Sequence, residues 1–211
     1  MTILNASNLS LEDVQRLFGF QEQYNDSFSP LLSLEPLTEV EHQELLQIRD
    51  DFQRYLKSGK VSEGQVKFMV LAPLLRLAGF DPYPIEIRLE GDIADIEVKD
   101  EDTTIKSRMD LLAISKAKHS KSQLYFWILL IESKNSQIDI LTGLPQLLTY
   151  AYKSLNNQTS VWGLTTNGRD YQFVYIEQDN PPIYHLMPLL NFMEPPRAVE
   201  LLQVLKAICQ I

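Results

Sequence analysis

The sequence predicts an α/β domain in the order helix, strands, helix, strand, preceded by an acidic helical N-terminal extension. Apolar residues follow a helical period up to Gly79 and an alternating period after it, which marks the change from helices to strands. Residues 124–131 then form an unbroken apolar run, which is typical of a central strand. These observations assign residues 1–58 to the extension and residues 59–211 to the domain.

Composition and charge are those of an ordinary globular protein. Of the 211 residues, 45% are hydrophobic and 22% are charged, which excludes general disorder. The formal net charge is −9, and residues 1–60 hold 5 Lys+Arg against 10 Asp+Glu. This acidity argues against a tight, sequence-independent nucleic-acid binder, which normally carries a basic face. The single cysteine, Cys209, excludes an intramolecular disulfide and a four-thiolate zinc site.

Hydropathy and the N-terminal residues bear on where the protein works. The longest apolar run is too short to span a bilayer, and residues 1–17 lack the basic region and apolar core of a secretory signal. We therefore expect a cytoplasmic protein without membrane contact. The acidic extension, residues 1–58, is a candidate surface for a partner subunit or a second copy of the chain.

Two helices are predicted in the extension. Ser10 caps a short amphipathic helix, and Thr38 with Glu41 forms a capping box that opens a longer one. The apolar residues of the longer helix recur at helical spacing: Leu45, Ile48, Phe52, Tyr55 and Leu56. We expect this helix to dock on the domain, because its apolar stripe would otherwise face water. The polar stretch 21–37, which contains two prolines, is predicted to be a loop.

The domain itself begins with a helix and continues with strands. Ser62 and Gln65 form a capping box, and the helix that they open contains an irregularity at Pro73. Residues 100–106 are predicted to be a polar turn. The other elements are predicted in this order: a hairpin of Ile85–Leu89 and Ile93–Val98 turning near Gly91, strands Met109–Ile114 and Leu124–Ser133, a helix over about Leu141–Leu155, strands Val161–Thr165 and Tyr171–Ile176, an edge strand Ile183–Met187 and a helix from about Pro195.

The apolar strand ends in a charged pair. Glu132 and Lys134 are two residues apart and therefore lie on the same face of the strand. An isolated Glu-x-Lys is typical of a surface ion pair, and that interpretation stays open for this motif alone. Asp110 begins the preceding strand, and an antiparallel hairpin centred at residue 121 would place it opposite Glu132. Two carboxylates would then converge beside a lysine, with the oxygen ligands that Mg²⁺ prefers.

Three further residues extend this set. Glu63 lies in the first turn of its helix on the core-facing stripe, although a first-turn glutamate is commonly only a partner of the helix dipole. Gln146 and Tyr150, at i and i+4, share one face of the helix that follows the Glu-x-Lys strand. Glutamine and tyrosine at this spacing are common in ordinary helices, but here they could reach a phosphate or the lysine.

Four motifs follow one another along the chain: Glu63, Asp110, Glu132-Ser133-Lys134 and Gln146-Leu-Leu-Thr-Tyr150. In this order they resemble the PD-(D/E)xK nuclease superfamily, and more narrowly the N-terminal nuclease domain of type I restriction enzyme motor subunits. The likeness covers about residues 61–177. One departure is Met109, because the family often has proline or a small residue before the aspartate. The resemblance implies a restriction-endonuclease-like core, in which a central mixed β-sheet is flanked by helices.

The resemblance also implies an activity and a site. The implied roles are metal ligands Asp110 and Glu132, catalytic lysine Lys134, accessory acid Glu63, and a polar pair beside the site, Gln146 and Tyr150. The implied reaction is Mg²⁺-dependent hydrolysis of DNA phosphodiester bonds by an endonuclease, with Mn²⁺ as a substitute ion. The alternative is a catalytically inactive module of the same fold that serves as a binding or scaffold unit in a defence or repair complex, and the acidic charge favours that alternative.

Other chemistries have little support. Gly59 and Gly64 have the glycine spacing of a phosphate-binding loop, but Gln65 follows where Lys-Ser/Thr is required, so no ATP-driven motor is expected. The three histidines are far apart and no Gly-x-Ser-x-Gly elbow occurs, which disfavours a zinc site and a serine hydrolase. The basic cluster Lys116–Lys121 is predicted to be a solvated turn at the far end of the hairpin.

Overall fold

The chain builds two β-sheets and covers the larger one with helices. The computed structural model describes residues 2–81, 83–89, 92–98, 103–119 and 125–211. The strands in these ranges are β1 Thr2–Asn5, β2 Gln21–Tyr24, β3 Ile85–Leu89, β4 Asp92–Val98, β5 Thr103–Arg108, β6 Leu111–His119, β7 Tyr125–Ser133, β8 Ser160–Thr166, β9 Asp170–Glu177 and β10 Ile183–Asn191. The helices are α1 Leu11–Phe18, α2 Glu39–Ser58, α3 Glu63–Val66, α4 Ala72–Leu77, α5 Leu144–Ser154 and α6 Pro195–Cys209, with short 3₁₀ turns at Ala6–Asn8 and Ile140–Gly143.

The larger sheet is mixed and has seven strands in the order β2-β10-β9-β8-β7-β6-β3. β7 and β8 are parallel and are joined through α5, and β2 is parallel to β10. The other neighbours in this sheet are antiparallel. The smaller sheet has the order β1-β5-β4. The predicted α/β class is confirmed, with a large mixed sheet flanked by helices. Within the described ranges, no helix combines the length and apolar character needed to cross a membrane.

Two apolar layers cover the two faces of the large sheet. One layer contains α2, α4 and α6, and the other contains α1 and α5. β7 contributes to both layers, with Leu129 and Ile131 in the first and Leu130 in the second. All three side chains are almost fully buried, which agrees with the prediction that this strand is central in the sheet.

The long helix of the N-terminal segment docks on the first layer. Leu45 and Phe52 of α2 are fully buried, and α2 contacts α4 and α6. The predicted capping box forms, since the Thr38 side chain accepts from the Glu41 N–H and the Glu41 carboxylate accepts from the Thr38 N–H. Burial of Leu45 and Phe52 thus docks α2 on the first layer, as expected from its spacing, whereas Tyr55 of the predicted stripe is 40% exposed.

The loop predicted for residues 21–37 is wrong at its start, where β2 occupies Gln21–Tyr24. A second strand that the sequence does not predict is β1 at Thr2–Asn5. β2 lies at the edge of the large sheet and pairs in parallel with β10, so β10 is not the edge strand that the sequence predicts. An edge strand of this kind is held by main-chain hydrogen bonds and needs no apolar alternation, so its sequence carries little signal.

The hairpin predicted for β3 and β4 is also wrong, because the two strands belong to different sheets. β3 pairs antiparallel with β6, and β4 pairs antiparallel with β5. The polar turn predicted over residues 100–106 is correspondingly replaced by a strand from Thr103 onward. Alternation shows which side chains share a face but does not specify the partner strand. The predicted turn at Gly91 lies outside the described residues.

The helix that begins at Ser62 is irregular, as Pro73 predicts. A π-helical turn over Lys67–Leu71 separates α3 from α4, and the Ala72 N–H donates to the Lys67 carbonyl across it. Pro73, which has no N–H to donate, sits in the first turn of α4. The wider turn places Lys67 in a stretch of helix whose geometry is often associated with functional sites.

Phe52→Ala is expected to destabilise the protein by about 3–5 kcal/mol, because Phe52 is fully buried. Its ring lies over Gly168, where an added Cβ would be 2.5 Å from Phe52 Cζ, so truncation opens a cavity beneath α2. Val40→Ala is the control in the same helix: Val40 is 64% exposed, and a change below about 0.5 kcal/mol is expected. Denaturant unfolding measures both. Equal stabilities of the two variants would contradict the assignment of α2 to the cooperative core.

Candidate active site

The adjacent ends of β6 and β7 bring the predicted acidic residues together. The antiparallel register pairs Leu111 with Ile131, so Asp110, one position further on, stands opposite Glu132 as predicted. Toward the other end of the pair two register shifts interrupt the ladder. The turn centre predicted at residue 121 lies outside the described residues. The register that matters for the site is therefore the one that the sequence predicts.

Asp110 is held through both of its carboxylate oxygens. Oδ2 accepts hydrogen bonds from the Ser133 N–H at 2.8 Å and from the Ser133 hydroxyl at 3.0 Å. Oδ1 accepts from Lys67 Nζ at 2.9 Å. The middle residue of the Glu-x-Lys motif thus fixes the aspartate of the neighbouring strand.

Glu132 is a deeply buried carboxylate, with only 2% of the residue exposed. Its Oε1 accepts a hydrogen bond from Lys134 Nζ at 2.6 Å, whereas Oε2 is buried without a hydrogen-bond partner. Burial, reinforced by the negative charge of Asp110 and opposed by Lys134, raises the pKa of Glu132 to about 7. An unpartnered buried oxygen next to a second carboxylate is an environment that a cation would satisfy.

Lys67, which belongs to none of the four motifs, links two of the predicted site residues. Its Nζ lies 2.9 Å from Glu63 Oε1 and 2.9 Å from Asp110 Oδ1. Burial alone would lower the pKa of Lys67, but its hydrogen bonds to Glu63 and Asp110 outweigh that effect and raise the pKa. The signal available in the sequence is the i, i+4 spacing from Glu63 to Lys67, which places both side chains on one helix face.

Two hydrogen bonds bring the start of α3 to the strand ends. The Ser136 N–H donates to the Val61 carbonyl at 3.1 Å, and the Val61 N–H donates to Ser136 Oγ at 3.0 Å. Ser62 then caps α3, and Gln65 completes the predicted capping box. The first turn of α3 is therefore tied to the chain that leaves β7, and this turn carries Glu63.

The start of α5 approaches the end of β7 from the face of the sheet opposite to α3. A Cβ on Gly143 would lie 2.9 Å from Glu132 Cγ and 3.4 Å from Lys134 Cε, so only a glycine fits there without movement. Gln146 and Tyr150 lie further along α5 and hydrogen-bond to each other, and Tyr150 is buried in the second apolar layer. Their predicted reach toward a phosphate or Lys134 stays a prediction.

The donor set fits a divalent cation held by two carboxylates. Glu132 Oε2 has no hydrogen-bond partner, and Asp110 Oδ1 has one, so both oxygens keep acceptor capacity. Mg²⁺ often binds to proteins through only one or two carboxylates and keeps several waters. Across the described residues, no group of three or more His, Cys, Asp or Glu side chains forms a ready-made metal site. The fit therefore depends on Asp110 and Glu132.

Comparison with known proteins leaves the family open. No protein-family model matches the chain, and a search of curated proteins gives no significant match. The resemblance to PD-(D/E)xK nucleases therefore depends on the order of four short motifs. The geometry adds that the first three of them, Glu63, Asp110 and Glu132-Ser133-Lys134, are connected by hydrogen bonds at one end of the sheet.

Proposed function

We propose that this protein is a Mg²⁺-dependent deoxyribonuclease with a restriction-endonuclease-like core, similar to the N-terminal nuclease domain of type I restriction motor subunits. The observation that carries the proposal is Glu132 Oε2, which is buried and unpartnered beside Asp110 and Lys134. In a surface ion pair, both carboxylate oxygens would reach water or a donor. Burying a carboxylate without full compensation destabilises a fold, so the arrangement favours a ligand for this oxygen.

The residues of the chain supply the groups that phosphodiester hydrolysis requires. Asp110 and Glu132 would hold Mg²⁺, which supplies Lewis-acid polarisation of the phosphate and lowers the pKa of a water nucleophile. Lys134 holds an ammonium group beside Glu132, where it can orient a water or stabilise negative charge that develops on the phosphate. Ser133 orients Asp110 through its two hydrogen bonds to Oδ2.

One cleft, of about 570 Å³, begins at Ser136, two residues after Lys134 in the sequence. It is lined by the segment that follows β7 and by the turn between β8 and β9, including Ser136, Gln137, Asn167 and Arg169. The Lys134 N–H donates to the Thr166 carbonyl at 2.7 Å, which ties the end of β7 to the strand before that turn. Arg169 and the polar side chains of this cleft suit contacts to a sugar-phosphate backbone, whereas Asp139 and Asp170, which also line it, would repel phosphates.

Supercoiled plasmid DNA tests the proposed activity. Incubation with Mg²⁺ or Mn²⁺ is expected to produce nicked or linear DNA, and EDTA is expected to prevent this. Linear duplex and single-stranded DNA in parallel reactions separate endonuclease from exonuclease action. If none of these substrates is cleaved with either ion, and calorimetry shows no metal binding, the proposal is wrong.

The second candidate is an inactive scaffold module of the same fold, which the net charge of −9 favours. A solvent-open groove of about 710 Å³ lies between α2 and α4. Its lining includes Tyr55 and Phe68, which is 77% exposed, and such a module could offer this surface to a partner. The buried Glu132 argues against this candidate, because a binding module has no need of it. Stable DNA or protein binding without cleavage would favour the scaffold.

Gly143→Ala is expected to reduce cleavage about 10²-fold with the fold intact, because an added Cβ 2.9 Å from Glu132 Cγ forces the carboxylate or α5 to move. Gly64→Ala is the matched control, since a Cβ there meets nothing within 4 Å, and it should leave cleavage unchanged. Thermal unfolding of both variants checks the fold. Equal cleavage by the two variants would contradict the requirement for a fixed Glu132.

A further inference from the structure

Lys67 lies in the site, but hydrolysis by the groups described above does not require it. Its Nζ is 2.9 Å from oxygens of both Glu63 and Asp110. The side chains of Lys67 and Asp110 are only 20% and 16% exposed, so water screens their attraction only in part. The lysine reaches Asp110 from the π-helical turn between α3 and α4.

The formal charges of the cluster nearly cancel without any metal. Three carboxylates, of Glu63, Asp110 and Glu132, face two ammonium groups, of Lys67 and Lys134. When all five groups are ionised, a single negative charge remains. One divalent cation therefore reverses the net charge, and a second would leave a strongly positive cluster that opposes its own formation.

Asp110 Oδ1 is the atom that Lys67 and a metal ion would share. Oδ2 already accepts two hydrogen bonds from Ser133, which use both of its lone pairs. Oδ1 accepts one hydrogen bond from Lys67 and keeps one lone pair. Two cations on one oxygen repel each other, and even at the dielectric constant of water this repulsion changes a binding constant about tenfold.

We propose that Lys67 is the resident counter-cation of the site: it neutralises Asp110 in the metal-free protein and limits the site to one divalent ion. The inference rests on the proposed function, since it assigns Asp110 to metal binding. Without Lys67, the half-buried Asp110 would face Glu63 and Glu132 with no cation on Oδ1. Lys67 holds the carboxylate in place before the metal arrives, and it lowers the affinity for that metal. It is a positioning residue.

Lys67→Gln removes the charge and keeps a hydrogen-bond donor, although the glutamine side chain is one bond shorter than that of lysine. Calorimetric titration with Mg²⁺ and Mn²⁺ is expected to show one site in the wild type and at least about tenfold tighter binding in Lys67→Gln. Lys67→Arg keeps the charge and is expected to bind with wild-type affinity. Lys60→Gln, at an exposed lysine just before α3, controls for the loss of one positive charge and should also match the wild type.

Unchanged or weaker metal binding by a folded Lys67→Gln variant overturns the inference, as does a wild type that binds two ions. Should Lys67→Gln fail to fold in thermal unfolding, Lys67→Met fills similar space without charge and carries the same expectation. Failure of the proposed function is a different result, in which the wild type neither binds the ions nor cleaves DNA. If the wild type binds the ions and the Lys67 variants bind them with the same affinity, only the role assigned to Lys67 is contradicted.

Discussion

Glu132→Ala and Lys134→Ala are each expected to lower metal-dependent DNA cleavage by at least about 10²–10³-fold with the fold intact. Glu132 carries the buried, unpartnered oxygen of the site, and Lys134 Nζ lies 2.6 Å from the other oxygen of the same carboxylate. Plasmid cleavage at saturating Mg²⁺ measures both variants. Glu44→Ala and Lys57→Ala, at exposed positions of α2, are the matched controls and should cleave like the wild type.

The two site variants are expected to fail for different reasons. Glu132→Ala removes a metal ligand, so calorimetry should show weaker Mg²⁺ binding. Lys134→Ala leaves both carboxylates and removes a positive neighbour, so Mg²⁺ should bind at least as tightly as in the wild type although cleavage is lost. Full cleavage by both variants would place the nuclease activity elsewhere or in a contaminant. Loss of cleavage with these opposite effects on metal binding would exclude the scaffold alternative.

The site was predictable to the extent that it depends on one local strand pair. β6 and β7 are consecutive strands, so the positions of Asp110 and Glu132 and the polar stretch between the strands were enough to predict their register. In the Glu-x-Lys motif Ser133 is only the variable residue. Its two hydrogen bonds to Asp110 depend on how β6 and β7 pair, so the motif alone does not predict them. The role of Lys67 is not predictable from the sequence, because its contact with Asp110 joins a helix to a strand end 43 residues away.

The fold was predictable as a class but not as a set of strand partners. The alternation of β3 correctly indicates a strand, yet its partner β6 follows only after two strands of the smaller sheet. β2 has no alternation to detect, since three of its four residues are exposed and its pairing with β10 uses the main chain. In both cases the partner is fixed by non-local contacts, which a single sequence does not encode in its periodicity.

Glu132→Gln is expected to stabilise the metal-free protein by about 1–3 kcal/mol at pH 8. The pKa of Glu132 is raised from its usual 4.5 to about 7 in the folded protein, mainly by burial. Between these two values the folded state keeps a proton that the unfolded state has released, so the free energy of unfolding falls as the pH rises from about 4.5 to about 7. The full difference corresponds to roughly 3 kcal/mol, and the loss of the Lys134 partner reduces the gain from glutamine.

Mg²⁺ binding is expected to offset the loss of stability that ionised Glu132 causes above pH 7, and to do so only in the wild type. Mg²⁺ favours the ionised carboxylate, so it is expected to raise the unfolding free energy of the wild type at pH 8 and to have little effect on Glu132→Gln. Denaturant unfolding from about pH 5 to about pH 8, with and without Mg²⁺, measures both effects, and Glu44→Gln on the surface of α2 is the control that should follow the wild type. Because other groups also titrate in this range, the informative quantity is the difference between wild type and variant at each pH. A difference that does not grow between pH 5 and pH 8 would mean that Glu132 is ionised throughout and that burial does not raise its pKa.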